Sequence, residues 1–310
     1  LHFVDLSALA SLSEYWLVMR DIRGKAQGYR RLCMTTNTFR ALHNGNELLL
    51  LPNAWDPGSA RLIESLGAKA IATTSAGLAW SRGYPDGDAL PIEQVIKTAR
   101  DISRVIRVPL SIDVEGGYSD DPEGVARVVS GIIEAGAVGL NIEDGAGSPE
   151  LLCAKIEAAR RSATRAGVDL FTNVRTDVYL RAMASGDGAV REVIRRAERY
   201  RSAGCDGIFV PGLVEGPAIE AIVAAIDPLP LNIMLMPGLP SPAVLREQGV
   251  RRLSAGSAIA QAAMGFTSQL ATGFLAGSAG DMSAITVDYS SMNQLFQNGR
   301  QVESASSKGV

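Results

Sequence analysis

From residue 48 onward the chain alternates two patterns: short runs of apolar residues, and longer stretches in which apolar residues recur with helical spacing. The short runs predict strands near 48–53, 70–75, 109–114, 138–143, 169–175, 207–211, 229–234 and 251–256. Between them lie helix-length amphipathic segments, among them 91–106, 122–135, 149–166 and 187–203. Strand and helix in regular alternation is the signature of parallel βαβ units. Eight such strands predict a closed (β/α)8 barrel of the TIM type rather than an open sheet, and no G-x-G-x-x-G follows the first strand to suggest dinucleotide binding.

A small motif recurs at the helix-to-strand corners: Leu66-Gly67-Ala68, Ala135-Gly136-Ala137, Ala203-Gly204-Cys205 and Gln248-Gly249-Val250, each just before a strand. Glycine suits the left-handed position that closes a helix, so these triplets predict the turns at the bottom of the barrel. Amphipathic segments at 257–277 and 289–297 follow the last strand and predict extra C-terminal helices. They could dock on a neighbouring subunit or cap their own barrel. Residues 1–33 lack the pattern, placing an apolar stretch before Arg20, Arg23, Lys25, Arg30 and Arg31, the reverse order of a signal peptide. We expect an N-terminal extension over 1–33 with Met34 as the natural start, one barrel domain with its C-terminal helices over 34–300, and a flexible tail over 301–310.

Composition narrows the chemistry. Thirty basic against thirty-three acidic residues give a net charge of −3, too little to draw in nucleic acid or anionic lipid, so the expected partner is a small molecule. No apolar run approaches the roughly 20 residues of a membrane-spanning helix. Three widely separated cysteines offer neither a disulfide framework nor a CxxC site, which fits a reducing, cytoplasmic setting. The two histidines, His2 and His43, both precede the first strand, so imidazole-based triads and histidine-rich zinc sites are excluded from the body of the fold. Carboxylates, arginine and a hard metal remain.

In a parallel barrel, chemistry sits at the carboxyl ends of the strands. The third run ends Ser111-Ile-Asp113-Val-Glu115-Gly-Gly, and period-two alternation puts Asp113 and Glu115 on one side of the strand. The pair is either a solvated loop couple or, with a cation between the charges, a site suited to Mg²⁺. The fourth run ends Asn141-Ile-Glu143-Asp144, where either the Asn141/Glu143 pair or Asp144 faces the axis. In the fifth, Asn173, Arg175 and Asp177 share a side, and Arg175 either neutralises a substrate carboxylate or phosphonate or forms an ion pair with Asp177 or Glu143. Thr73-Thr-Ser75-Ala76-Gly77 ends the second run with small residues whose N–H groups could cradle an anion or serve a tight turn. Pro237-Gly238 and Gly256-Ser257 could hold a phosphate, but are more simply turn residues.

These residues carry a resemblance. From about Phe39 to Phe296 the chain resembles the isocitrate lyase/phosphoenolpyruvate mutase superfamily, through LLLPNAWDPGSARL at 49–62, TTSAGLAWSRGYPDG at 73–87, SIDVEGGYS at 111–119, GLNIEDG at 139–145 and NVRTD at 173–177. The resemblance implies an α/β barrel, a homo-oligomer (dimer or tetramer) with exchanged C-terminal helices, and a Mg²⁺-dependent reaction, with Mn²⁺ an alternative, on a small 2-oxo or 2-hydroxy carboxylate. It implies metal ligation, direct or through water, by Asp113, Glu115 and Glu143. It further implies a substrate carboxylate on the N–H groups of Ser75, Ala76 and Gly77, substrate charge on Arg175, and Asp86 beside the reacting group. The chain departs from the family in three places. The family lyases' Lys-x-Cys-Gly-His loop is absent after Asp144, the mutases' lysine is Gly145, and the second metal-site Asp is Glu115. Cys153, inside a helix, is no replacement. Breaking a bond to C3 with loss of CO₂ needs no base for a leaving hydroxyl, so the expected activity is that of an oxaloacetate-decarboxylase-like or C–C lyase working through an enolate. A C–P phosphonomutase or phosphonopyruvate hydrolase, and a catalytically silent carboxylate-binding barrel, are the alternatives.

Overall fold

The computed structural model describes residues 38–278 and 286–305. The extension expected over 1–33, and Met34 with it, lies outside the described residues. The strands are β1 (Leu49–Leu51), β2 (Asn53–Ala54), β3 (Ile71–Thr73), β4 (Leu110–Asp113), β5 (Gly139–Glu143), β6 (Phe171–Arg175), β7 (Gly207–Phe209), β8 (Leu231–Met234) and β9 (Arg252–Ser254), all parallel, in the order β1-β9-β8-β7-β6-β5-β4-β3-β2. Nine strands make eight staves because the first run is split at Pro52, which has no N–H to donate. On one side of the break the Leu51 carbonyl accepts from Ala255, and on the other the Pro52 carbonyl accepts from Ala72. The run thereby hands over from β9 to β3 and closes the barrel.

The helices are α1 (Pro57–Ser65), α2 (Ser75–Ser81), α3 (Ile92–Val105), α4 (Pro122–Glu134), α5 (Pro149–Ala166), α6 (Gly186–Ala203), α7 (Gly216–Ile226), α8 (Pro242–Glu247), α9 (Ala258–Leu275) and α10 (Tyr289–Ala305). Four of their starts share a device at the upper rim: Asp56, Asp121, Ser148 and Ser241 each cap backbone N–H groups with a side-chain oxygen, and each is followed by proline. At the lower rim Gly67, Gly136, Gly204 and Gly249 all adopt positive φ, between 88° and 101°, as the corner motif predicts. Gly167, at φ 66°, is a fifth such corner after α5.

Apolar side chains between strands and helices form the main core, while the lumen has its own short plug at the bottom: Phe39, Leu49, Leu51, Ala70, Ala72, Val138 and Phe171. Phe39 comes from a helical turn over 38–41 that seals this end, edge-on to Phe171, with His43 stacked on the same ring at 4.1 Å. Gly139 is required here, since a Cβ would lie 2.4 Å from the Phe39 ring. Above the plug the lumen turns polar, so the two ends of one barrel differ in character.

The C-terminal helices leave the barrel. Only Ala260 of α9 is buried, while Met264, Phe266, Phe274 and Leu275 are exposed. On the barrel wall Leu50 and Leu235 are half-exposed over an apolar cleft of about 180 Å³. α10 touches α1 through Arg61, which donates to the Leu295 carbonyl, and it continues to Ala305, into the segment expected as a tail. Among the described residues no helix is long and apolar enough to cross a membrane.

Candidate active site

The carboxyl ends of β4, β5 and β6 bring Asp113, Glu143 and Arg175 together at the upper mouth. Strand register makes them neighbours: Asp113 stands opposite Asn141, and Glu143 opposite Arg175. Arg175 Nη1 meets Glu143 at 2.7 Å, and its Nε and Nη2 grip Asp177 at 2.6 and 3.1 Å. The guanidinium also lies over the Phe209 ring, 6.0 Å from its centroid. Both ion-pair partners open to Arg175 from the sequence are therefore realised at once.

Asp144 faces away from the axis. Its carboxylate, buried between barrel and helices, accepts from Arg196 (2.7 Å), the Tyr200 hydroxyl (2.7 Å) and the Asp177 backbone N–H (2.9 Å). Of the alternatives at the end of β5, the Asn141/Glu143 pair faces inward.

Asp113 and Glu115 do not point the same way. β4 ends at Asp113, and Glu115 has φ +50°, so strand alternation no longer governs it. The Glu115 backbone N–H donates to Asp113 Oδ1 at 3.3 Å, but the Glu115 carboxylate turns to the α2–α3 loop, accepting there from Gly87 N and Asp88 N, and from the Tyr118 hydroxyl of its own loop. Asp86 is exposed on that loop. It is near enough to push up the carboxyls of both Asp113 and Glu115.

The N-terminus of α2 holds Ser75, Ala76 and Gly77. Ser75's N–H reaches Asp113, and Gly77's N–H donates to its cap Thr74 at 3.4 Å. Two of the three N–H groups expected to cradle an anion thus have acceptors within the protein. Gly77 is also sterically required, because a Cβ would meet Thr74, Ala260 and Trp55 at 2.8–3.1 Å.

Electrostatics mark the cluster. Burial, then the neighbouring charges of Asp113, Asp177 and Glu115, push the Glu143 carboxyl up to about 8 against the opposing pull of Arg175. Burial likewise raises Asp113 and Glu115. Too few positive charges serve too many carboxylates. The second cation nearby is Arg252, fully buried at the barrel axis, whose Nη2 donates to Asn141 at 3.1 Å while Nε and Nη1 have no partner among the described residues. Sequence reading passed over Arg252 as one charge in an apolar strand. Its parity with Ser254, which also faces the lumen and bonds Asn232, was the available signal.

Two further cations were missed. Lys155 of α5 is buried, donating to the Gly116 carbonyl at 2.8 Å, and Arg181 bonds Asp177 at 3.1 Å. Both line a cavity of about 300 Å³ that opens beside Glu115 and Glu143 under the short Gly145–Gly147 turn.

Among the described residues no three His, Cys, Asp or Glu side chains are placed to hold a metal ion directly. The donors at the mouth are all carboxyl oxygens, whose burial and crowding raise their hold on a proton that a cation would displace. They fit a cation such as Mg²⁺, which keeps several waters and takes only one or two carboxylates. They do not form a closed cage.

Comparison with known proteins agrees with this architecture. Residues 39–275 match the family described as Phosphoenolpyruvate phosphomutase. An uncharacterised protein of Mycobacterium tuberculosis is 38% identical over 225 residues, covering 71% of this chain and 82% of that protein. The oxaloacetate decarboxylase of Paraburkholderia xenovorans is 30% identical over 249 residues, covering 73% and 79%. The crystal structure of a putative phosphonomutase from Burkholderia cenocepacia superposes with a TM-score of 0.73 at 39% identity, covering 77% of this chain and 99% of that one. The chain belongs to the phosphoenolpyruvate phosphomutase family, within the isocitrate lyase/phosphoenolpyruvate mutase superfamily of lyases and mutases.

Proposed function

We propose that the protein is a Mg²⁺-dependent lyase acting on a small 2-oxo carboxylate, with oxaloacetate decarboxylation as the leading reaction. The observation that carries this reading is the placement of Asp113, Glu143 and Arg175 at one mouth, with carboxylate in excess and no histidine or cysteine among them. Asp113 and Glu143 would hold the cation, largely through its waters. Bound there, it supplies Lewis-acid polarisation of the 2-oxo group.

The chain's own residues do the remainder. Arg175, fixed by Asp177 and Phe209, presents a rigid planar cation to the substrate's charge. The α2 N-terminus, with Ser75, Ala76 and Gly77, would add its dipole toward a substrate carboxylate, although Ser75 and Gly77 already donate within the protein. The C3–C4 bond breaks as CO₂ leaves, its electron pair passing toward the 2-oxo oxygen, and C3 then takes a proton from solvent at the rim, where the exposed Asp86 would stand beside it. No step requires an imidazole. A screen of oxo and hydroxy acids, with Mg²⁺, Mn²⁺ or chelator, should show pyruvate and CO₂ in equal amounts from oxaloacetate, above the protein-free rate with the same metal and not above it in chelator. Metal-dependent binding without turnover of any acid would instead indicate a silent carboxylate-binding barrel.

A second reading is C–P chemistry on a phosphonopyruvate-like acid, favoured by the 39% identity to the putative phosphonomutase. Phosphate release or phosphoryl transfer in the same screen would select it. For assembly, we propose a homo-oligomer in which a second copy covers the exposed Leu50/Leu235 wall and the apolar side of α9. Light scattering should give a multiple of the 32.7 kDa chain mass, and Phe274→Glu should lower it.

A further inference from the structure

The loop between α2 and α3 is exposed from residue 81 to 89, yet it carries Asp86 to the mouth of the barrel. Among the described residues, its hydrogen bonds over 86–88 all run to one neighbour, the loop after β4. Gly87 and Asp88 donate their backbone N–H groups to Glu115 Oε2, the first at 2.9 Å. Tyr118 donates its N–H to Asp88 Oδ1 at 3.3 Å, and Gly116 donates to the same carboxylate. The Tyr118 hydroxyl closes the arrangement on Glu115 Oε1 at 2.7 Å. From the far side, Lys155 fixes the Gly116 carbonyl.

Three non-glycine residues here, Asp88 (φ 56°), Glu115 (φ 50°) and Tyr118 (φ 56°), sit in left-handed backbone. Such conformations persist only where the surroundings over-determine them, and they concentrate at functional sites. Glu115 is only 5% exposed, and three donors from two loops converge on its two oxygens. A side chain committed in this way is poorly free to serve as a direct metal ligand. It is well placed to fix the geometry of something else.

We infer that Glu115 is a positioning residue: it latches the α2–α3 loop to the β4–α4 loop and so sets where Asp86 stands relative to Asp113. The extra methylene of Glu over Asp is what this task needs, because the carboxylate must cross from one loop to the backbone of the other. In its kinetic consequences the inference rests on the proposed function; in its structural ones it does not.

The test compares two conservative variants whose rank order differs between roles. Glu115→Gln keeps the length and an acceptor oxygen for Gly87 and Asp88, while its amide can donate to the Tyr118 oxygen. Glu115→Asp keeps the charge but falls short of the loop. A latch predicts that amide hydrogen exchange at Gly87 and Asp88, measured without metal or substrate, speeds up in Glu115→Asp and stays near wild type in Glu115→Gln. It predicts a kcat/KM loss on the order of 100-fold for Glu115→Asp, the scale of an ångström's misplacement of a reacting group. Glu115→Gln loses far less, and the Mg²⁺ dissociation constant by calorimetry is similar in both. Tyr118→Phe, which removes one donor and no backbone contact, shows a small effect in the same direction. The inference is overturned if Glu115→Asp outperforms Glu115→Gln and binds Mg²⁺ more tightly, as a direct ligand would, or if exchange at 87 and 88 is unchanged in Glu115→Asp. If the wild type takes up no Mg²⁺ and turns over no oxo acid, the proposed function fails, and the exchange measurement alone still decides the latch.

Discussion

Replacing Glu143 with glutamine should stabilise the metal-free protein while disabling it. The carboxyl of Glu143 is pushed from an ordinary 4.5 up to about 8, chiefly by burial and then by the carboxylates around it. At pH 7 an unfolded chain has released this proton and the folded one still holds it. Each pH step between 4.5 and 7 weighs about 1.36 kcal/mol, so Glu143 costs the fold about 3 kcal/mol at pH 7. The sign follows from a raised folded-state value: the group does no harm below 4.5, and the stability lost grows as pH rises to about 8, then levels off. Glutamine is nearly isosteric, cannot ionise, and offers Arg175 an oxygen while Asp177 retains its two bonds to the same guanidinium. For a chain of 310 residues, about 3 kcal/mol is on the order of 5 °C in Tm. Thermal unfolding in chelator from pH 5 to pH 8.5 should show Glu143→Gln melting above wild type, with the gap widening as pH rises. Added Mg²⁺ should raise the wild-type Tm and narrow the gap, while turnover by the variant falls by two orders of magnitude or more. A gap that is zero, reversed or independent of pH would show that Glu143 ionises without penalty and that the cluster has no need of a cation.

Two further outcomes test the scaffold. Asp144→Ala should cost about 3–5 kcal/mol in denaturant unfolding, because it leaves Arg196 and Tyr200 buried without their shared acceptor, and Asp144→Asn should cost less. Gly139→Ala should cost about 1–3 kcal/mol by driving a Cβ to 2.4 Å from the Phe39 ring, and a Phe39→Leu background should absorb most of that loss in a double-mutant cycle.

The barrel was legible because its signals are local. Each strand run survives in the structure, and the Gly67, Gly136, Gly204 and Gly249 corners hold the left-handed backbone their motif predicts. Even the split of the first run is written in the sequence as Pro52. The site was legible only in part. Parity placed Glu143 with Asn141 but could not choose between that pair and Asp144, because both residues end the same strand. Carrying the alternation of β4 past Asp113 misplaced the Glu115 side chain, since a left-handed residue breaks the period. Lys155, Arg181 and Arg252 come from elements far apart in sequence. Their meeting with the β4–β6 mouth depends on strand order and helix packing, which no local pattern contains.

The central claim is that Asp113 and Glu143 create a cation site that, with Arg175, receives a 2-oxo acid. Calorimetric titration of Mg²⁺ into the metal-free protein, with and without oxalate as a planar stand-in for the reacting acid, tests it most directly. The account predicts saturable Mg²⁺ uptake that tightens with oxalate, is lost in Asp113→Ala, and keeps its metal step but loses the oxalate effect in Arg175→Met. Wild-type protein that binds no Mg²⁺ under either condition, or Asp113→Ala that binds as well as wild type, would contradict it.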